Sequence, residues 1–197
     1  MKLNSFEKAL MNSPLRWMTQ RFGDVPRFLE LGGGPMDGGR ALELGCGRGV
    51  GVDMIRRHFR PAQIDAFDLD PHMAALAKTR HRGASVRFWV GDATRLAVPD
   101  GVYDAVFDFG IIHHIPGWQA ALPEVFRVLK PGGRFFAFEV LADFIHNPLW
   151  RVLMDHPQEN RFGHDRFRDE LAQSGFRLLG SRSLRNQFAW FAVRKPD

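Results

Sequence analysis

Three clusters in this chain combine residue types and spacings that suit the holding of a polar ligand. Glu43-Leu44-Gly45-Cys46-Gly47-Arg48-Gly49 sets glycine at alternate positions, which opens backbone conformations closed to other residues and lets a ligand approach the main chain. The spacing is not that of a dinucleotide fingerprint, Gly-x-Gly-x-x-Gly, because the third glycine arrives one residue early and Val50 stands where that motif needs glycine. The Gly-Lys-Ser/Thr of a phosphate loop is absent as well. Asp68 follows 23 residues after Gly45, where a carboxylate can accept hydrogen bonds from the two vicinal hydroxyls of a ribose. Asp70 is better placed than Asp68 to cap the following helix, so capping alone does not account for Asp68. Asp92, in Gly91-Asp92-Ala93, can accept from an exocyclic amine of an adenine. Further along stand His113-His114, Glu139, His156 and His164. Each is a candidate for moving or orienting a proton, and each has an ordinary alternative as a packing histidine or a capping carboxylate. Cys46 is the only thiol and no base is paired with it in sequence, so a nucleophilic role is disfavoured. No metal ligand set is expected, since no cluster has metal-ligand spacing.

These residues need elements to place them. Apolar runs predict strands over Ala41–Leu44, Ile64–Asp68, Val86–Val90, Tyr103–Phe109 and Arg134–Val140. Amphipathic stretches predict helices over Val52–Phe59, Pro71–Arg80 (capped by Asp70) and Trp118–Leu129, the last ending at Pro131-Gly132-Gly133. Alternating strand and helix imply parallel pairing with right-handed crossovers, which is a doubly wound α/β sheet. The three ligand-suited clusters then fall at the carboxyl ends of the first three strands, beside the point where such sheets bind ligands. The tail breaks the rhythm: after a helix over Asp165–Ser174 come two β-rich runs, Phe176–Ser183 and Phe188–Arg194, too close for a parallel crossover and therefore antiparallel neighbours at one edge. Ahead of the sheet, residues 1–39 read as a helical arm and a glycine-rich joint. In the arm Leu3, Phe6 and Leu10 share a face, Ser13-Pro14 opens a helix, and Trp17, Met18, Phe22, Phe28 and Leu29 form an apolar side. Residues 40–197 form the main domain, with 141–164 a long aromatic, His-rich insertion of the kind that serves as a lid.

Composition fits that reading. A chain of 197 residues, 45% hydrophobic and 25% charged, is an ordinary folded domain. A single cysteine rules out a disulfide scaffold. Apolar runs such as Phe135–Phe138 fall far short of the ~20 residues of a membrane span. The start, Met-Lys-Leu-Asn-Ser-Phe-Glu-Lys, lacks an apolar leader, so a cytoplasmic location is expected. The net charge is +5, but the 22 arginines among the 27 basic residues are scattered from Arg16 to Arg194 without a run of five. That pattern reads as solvated surface and argues against a nucleic-acid partner.

The motifs together resemble the class I S-adenosylmethionine-dependent methyltransferases. The resemblance covers residues 40–194 and rests on Glu43 to Gly49, Asp68, Gly91-Asp92-Ala93, the Tyr103–Gly110 strand before Ile112-His113-His114-Ile115, and Leu129-Lys130-Pro131-Gly132-Gly133. It implies a Rossmann-like seven-stranded, mostly parallel sheet with an antiparallel C-terminal hairpin, and S-adenosyl-L-methionine as cofactor with S-adenosyl-L-homocysteine as product. It implies further that Gly45, Gly47 and Gly49 pass close to the methionine part of the cofactor, with Glu43 bracing the turn and Cys46 in a small-residue slot. Asp68 would hold the ribose, Leu69 would pack on the adenine, and Asp92 with the Ala93 backbone would read the adenine edge. Asp108 and Phe109 would line the methionine end, and the turn carrying His113 and His114 would face the methyl.

The acceptor is narrowed by elimination. The Asn/Asp-Pro-Pro-aromatic signature of base-amine methylation is replaced by Asp108-Phe109-Gly110-Ile111, and no second cysteine exists for carbon-5 chemistry on pyrimidines. Phe6, Trp17, Met18 and Phe22 of the arm, with Phe144, Trp150, Leu153, Met154 and Phe162 of the insertion, supply apolar and aromatic lining for a small, hydrophobic or lipid-like acceptor methylated on oxygen or nitrogen. The same basic, aromatic arm could touch a membrane surface. The oligomeric state is not legible. The competing readings are a non-catalytic S-adenosylmethionine sensor, a methyltransferase acting on protein or RNA, and a nicotinamide oxidoreductase, the last opposed by the early third glycine.

Overall fold

The computed structural model describes residues 14–83, 85–145 and 159–197. The expectations placed on Leu3, Phe6, Leu10, Ser13, Trp150, Leu153, Met154 and His156 lie outside the described residues. Five parallel strands and a C-terminal hairpin form one seven-stranded sheet in the order β3-β2-β1-β4-β5-β7-β6. The strands are β1 (Arg40–Leu44), β2 (Gln63–Asp68), β3 (Val86–Val90), β4 (Tyr103–Phe109), β5 (Leu129–Val140), β6 (Arg177–Leu184) and β7 (Phe188–Arg194). The helices are α1 (Pro14–Thr19), α2 (Val25–Gly32), α3 (Val50–His58), α4 (Pro71–Arg80), α5 (Ala121–Val128), α6 (Ala142–Ile145) and α7 (His164–Gln173). Strands β6 and β7 pair antiparallel at one edge, as their short linker requires. The order reverses between β1 and β4, so the carboxyl ends of these two strands bound the crevice characteristic of open α/β sheets.

Both faces of the sheet are covered because side chains alternate along each strand. One face joins Leu42, Val106, Phe135 and Phe191 to Leu122 and Val125 of α5 and to Phe167 and Leu171 of α7. The other joins Ala41, Phe107, Phe136 and Trp190 to Phe28 of α2 and to Val52 and Ile55 of α3. Phe107 and Phe136 stack with ring centroids 5.0 Å apart, and Phe59 meets Phe107 edge-on at 4.6 Å. Each such aromatic contact adds ~0.5–1.5 kcal/mol beyond burial.

Two elements differ from expectation. Strand β5 begins at Leu129, before the Pro131-Gly132-Gly133 punctuation, because a register shift between Tyr103 and Ala105 lets the strand pair on either side of it. In the arm, α1 and α2 are joined by a π-helical turn, Gln20–Asp24, whose extra residue per turn shifts the phase of the apolar stripe. Gln20, Asp24 and Phe28 therefore turn inward, while Met18 (50% exposed) and Phe22 (65% exposed) face outward. The last two do not line an enclosed pocket. Asp24 anchors the arm by accepting a hydrogen bond from Trp190 Nε1 at 2.9 Å.

Candidate functional site

The glycine turn leaves β1 at Gly45 and enters α3 at Val50. It is stitched to the end of β2 by two backbone-mediated links. The Cys46 N–H donates to the Phe67 carbonyl at 2.8 Å, and the Gly47 N–H donates to Asp68 Oδ2 at 2.8 Å. Asp68 Oδ1 accepts from the Asp70 N–H at 2.8 Å, and Asp70 caps α4 by accepting from the His72 N–H at 2.9 Å. Asp68 thus fixes the turn and the exit of β2 as one unit. Glu43 is buried beneath this unit, and a Cβ on Gly51 would run into its carboxylate, so α3 can start here only because that position is glycine. Gly47 has φ +52°, and a Cβ there would meet nothing within 4 Å, so the main chain at Gly47 is open to a ligand, whereas Gly45 and Gly49 are packed against Ile111 and His81. Leu69, next to Asp68, is 52% exposed. An open glycine lip, a carboxylate at the strand end and an exposed apolar side chain beside it fit the methionine, ribose and adenine parts of S-adenosylmethionine in turn. Asp92 lies exposed at the end of β3 with Oδ1 accepting from the Thr94 N–H and hydroxyl, each at 2.8 Å, and Ala93 beside it is buried. Cys46 is buried, and burial together with the Glu43 and Asp68 carboxylates pushes its thiol well above the usual range, which leaves it protonated and inert.

A second cluster closes the carboxyl ends of β4 and β5. Asp108 Oδ1 accepts from the N–H groups of Gly110 and Ile111 at 2.9 and 2.8 Å. Glu139 Oε1 accepts from the Ile112 N–H at 2.9 Å, and Oε2 accepts from the His113 N–H at 3.2 Å. His113 Nδ1 lies 2.5 Å from the same oxygen. Both carboxyl groups are fully buried. Burial and the neighbouring Glu139 charge hold Asp108 well above the ordinary carboxylate range, and burial raises Glu139 to about 7. Phe109 is buried beside Phe28, with ring centroids 5.6 Å apart, and the half-buried His114 ring lies 4.1 Å from that of His113. Arg161 reaches the cluster from the segment before α7: its Nη1 donates to the His113 carbonyl, while Nε and Nη2 are buried without an acceptor among the described residues. Burial lowers the Arg161 guanidinium to about 10.

The structure therefore gathers Glu43, Gly45, Cys46, Gly47, Gly49, Asp68 and Leu69 around the first turn, and Asp108, Phe109, His113 and His114 around the fourth. The Glu139–His113 contact and the position of Arg161 were not foreseen. Glu139 carried a signal, as an acid ending an apolar strand, whereas Arg161 had none beyond its aromatic neighbour Phe162. His164 accepts a packing role, 3.0 Å from Ser181 Oγ and stacked on Phe191. Phe162 is core, packed against Trp118 and Phe167, and does not line a pocket. An open depression of about 400 Å³ lined by Gly39, Asp104, Arg134 and Arg194 lies at the amino ends of the strands, the edge opposite the one where this topology binds ligands.

Comparison with known proteins agrees with the geometry. Residues 42–137 match the family model described as a methyltransferase domain. A fatty-acid O-methyltransferase of Mycolicibacterium smegmatis is 38% identical over 123 residues, 62% of this chain and 44% of that protein. The phthiotriol/phenolphthiotriol dimycocerosates methyltransferase of Mycobacterium tuberculosis is 37% identical over 100 residues, 51% of this chain and 37% of that protein. The matched stretch covers less than half of either relative. Among solved structures, an S-adenosylmethionine-dependent methyltransferase from Mesorhizobium loti superposes with a TM-score of 0.73 at 16% identity, covering 88% of this chain and 99% of that one. The cyclase SpnF superposes with a TM-score of 0.71 at 20% identity, covering 87% of this chain and 79% of that one. These likenesses speak for the fold.

Proposed function

We propose that the chain, whose residues 42–137 match a methyltransferase-domain family model, is a class I S-adenosylmethionine-dependent methyltransferase that transfers a methyl group to an oxygen of a small, hydrophobic, lipid-like acceptor. Gly45, Gly47 and Gly49 hold the methionine part of the cofactor, Asp68 the ribose, and Leu69, Asp92 and Ala93 the adenine. Asp108 and Phe109 close the methionine end. Bound S-adenosylmethionine supplies a methyl on a sulfonium, open to in-line displacement. What the protein adds is alignment of acceptor and methyl, which can lower such a barrier by ~7–11 kcal/mol.

The observation that carries the choice of oxygen is the buried Glu139–His113 pair at the mouth of β4 and β5. A carboxylate that fixes Nδ1 sets the ring's tautomer and orientation, and Nε2 becomes the ring atom that meets the acceptor oxygen. His114, half-buried beside it, flanks the acceptor. The names of the two curated relatives, one acting on fatty acids and one on phthiotriol dimycocerosates, support a lipid-like acceptor.

The test is to incubate the purified chain with methyl-labelled S-adenosylmethionine and a cell extract, then count the protein, nucleic-acid, lipid and polar small-molecule pools separately. Label is expected in the lipid or small-molecule pool and lost in His113→Ala. Label confined to protein or nucleic acid, or cofactor binding without label in any pool, refutes the reading.

A further inference from the structure

We infer that Arg161 grips the acceptor, and that the group it grips is an ionised carboxylate on a hydrophobic body. This rests on the oxygen-methylating reading above and narrows it from oxygen in general to the carboxylic acids.

The guanidinium has one edge used and one edge without a partner among the described residues. Nη1 donates to the His113 carbonyl, which fixes the group over the turn after β4, and Nε and Nη2 are both buried without an acceptor among the described residues. Those two nitrogens form a planar fork whose parallel donors match the two oxygens of a carboxylate. Buried donors left unmade cost free energy, and a charge-assisted bidentate contact is the interaction that offsets it best. Glu139, whose charge acts on Arg161, already takes Ile112 and His113 donors on its two oxygens.

The arginine is also held ready. Trp118 Nε1 donates to the Asn160 carbonyl at 2.9 Å, Asn160 Nδ2 to the Pro116 carbonyl at 2.7 Å, Arg166 Nη1 to the Arg161 carbonyl at 2.8 Å, and the Ala142 N–H to the Phe162 carbonyl at 2.9 Å. A surface arginine has no need of such bracing. A group ordered before its ligand arrives loses less entropy on binding.

The chemistry agrees. A carboxylate oxygen carries no proton, so its lone pair forms the O–C bond as the C–S bond breaks, the sulfonium becomes a thioether, and the two opposite charges vanish together. An alcohol would need its proton removed in the same event, whereas toward a carboxylate His113 serves to orient the acceptor and takes no proton.

The full chain is to be assayed with labelled S-adenosylmethionine against saturated fatty acids of eight to sixteen carbons and the matching 1-alcohols, as wild type, Arg161→Gln and Arg161→Lys. Wild type is expected to form methyl esters in preference to ethers. In R161Q, kcat/KM for the acids should fall about 100-fold, as truncating one partner of a buried charge pair does, while cofactor affinity by calorimetry stays within about twofold, with R161K intermediate. Ethers formed as readily as esters, or an R161Q loss that strikes acids and alcohols equally, would overturn the clamp and leave oxygen methylation standing. Neither ester nor ether from wild type would remove the oxygen-methylating reading and the clamp with it.

Discussion

Replacing Glu139 by glutamine probes the buried acid pair directly, and the expected effect changes with pH. In the wild type this carboxyl titrates near 7 instead of its ordinary 4.5 because burial disfavours the charged form. The folded state therefore keeps a proton that the unfolded chain has already released between those two values. A group that binds more protons folded than unfolded loses its stabilising contribution as pH rises through that window. From pH 5 to pH 8 the loss amounts to ~2–3 kcal/mol, at ~1.4 kcal/mol for each fully titrating pH unit. Asp108, raised by the same burial and by the Glu139 charge, adds to the slope with the same sign. Glutamine does not titrate, and its amide can accept at only one of the two oxygen positions. Placed to serve the two His113 donors, it turns its nitrogen toward the Ile112 N–H, 2.9 Å from the oxygen it replaces, at a cost of ~1–3 kcal/mol for the bond lost. E139Q should therefore be less stable than wild type by ~2 kcal/mol at pH 5 and close to equal, or ahead, at pH 8. Denaturant unfolding followed by circular dichroism at half-unit steps measures this, and subtracting the two proteins cancels the titrating groups remote from the pair, leaving Glu139 together with the part of the Asp108 shift that its charge causes. Stability curves that run parallel across the window would refute the buried-acid reading.

Gly47→Ala places a side chain at φ +52° in open space; it should cost ~1–2 kcal/mol of stability from left-handed backbone strain yet weaken S-adenosylmethionine by tenfold or more. Unchanged affinity in calorimetry would move the cofactor off this turn. Asp68→Asn keeps the shape of the side chain but gives up one of two acceptors for the Gly47 and Asp70 N–H groups. Cofactor affinity should fall 10- to 100-fold, with ~1–3 kcal/mol lost from the fold, and a titration showing less than threefold weakening counts against a ribose role. Trp190→Phe removes the donor to Asp24 and shrinks the ring beneath Arg27, whose guanidinium carbon lies 4.2 Å from the indole centroid. A drop of ~1–3 kcal/mol in a single unfolding transition is expected, whereas a separate early transition would show the arm to be an independent unit.

What could be read from the chain beforehand divides along a physical line. Strands β1 to β4, the Asp70 cap and the terminal hairpin are local in origin: apolar runs, a proline after an acid, and a linker too short to cross the sheet. The proposed cofactor half of the site is legible for the same reason, because one turn of consecutive residues, Glu43 to Gly49, carries much of it and Asp68, Asp92 and Asp108 fall at the ends of strands that can be read locally. Helical periodicity does not reveal the five-residue π turn at Gln20–Asp24, and Met18 and Phe22 lie outside the buried stripe of the arm.

The proposed acceptor half is hidden because it is made only by register. Glu139 meets His113 across 26 residues, and it does so because Asp108 of β4 pairs with Ala137 of β5, which sets the end of β5 beside the turn that follows β4. Arg161 meets the same turn across 48 residues. No spacing rule along one chain could bring these three together. Yet each is polar, at least half withdrawn from water and aimed at one turn, an arrangement whose desolvation cost a fold sustains most readily where ligand chemistry uses it. The half of the proposed site least visible in the sequence is thus the half to which the proposed choice of acceptor is assigned.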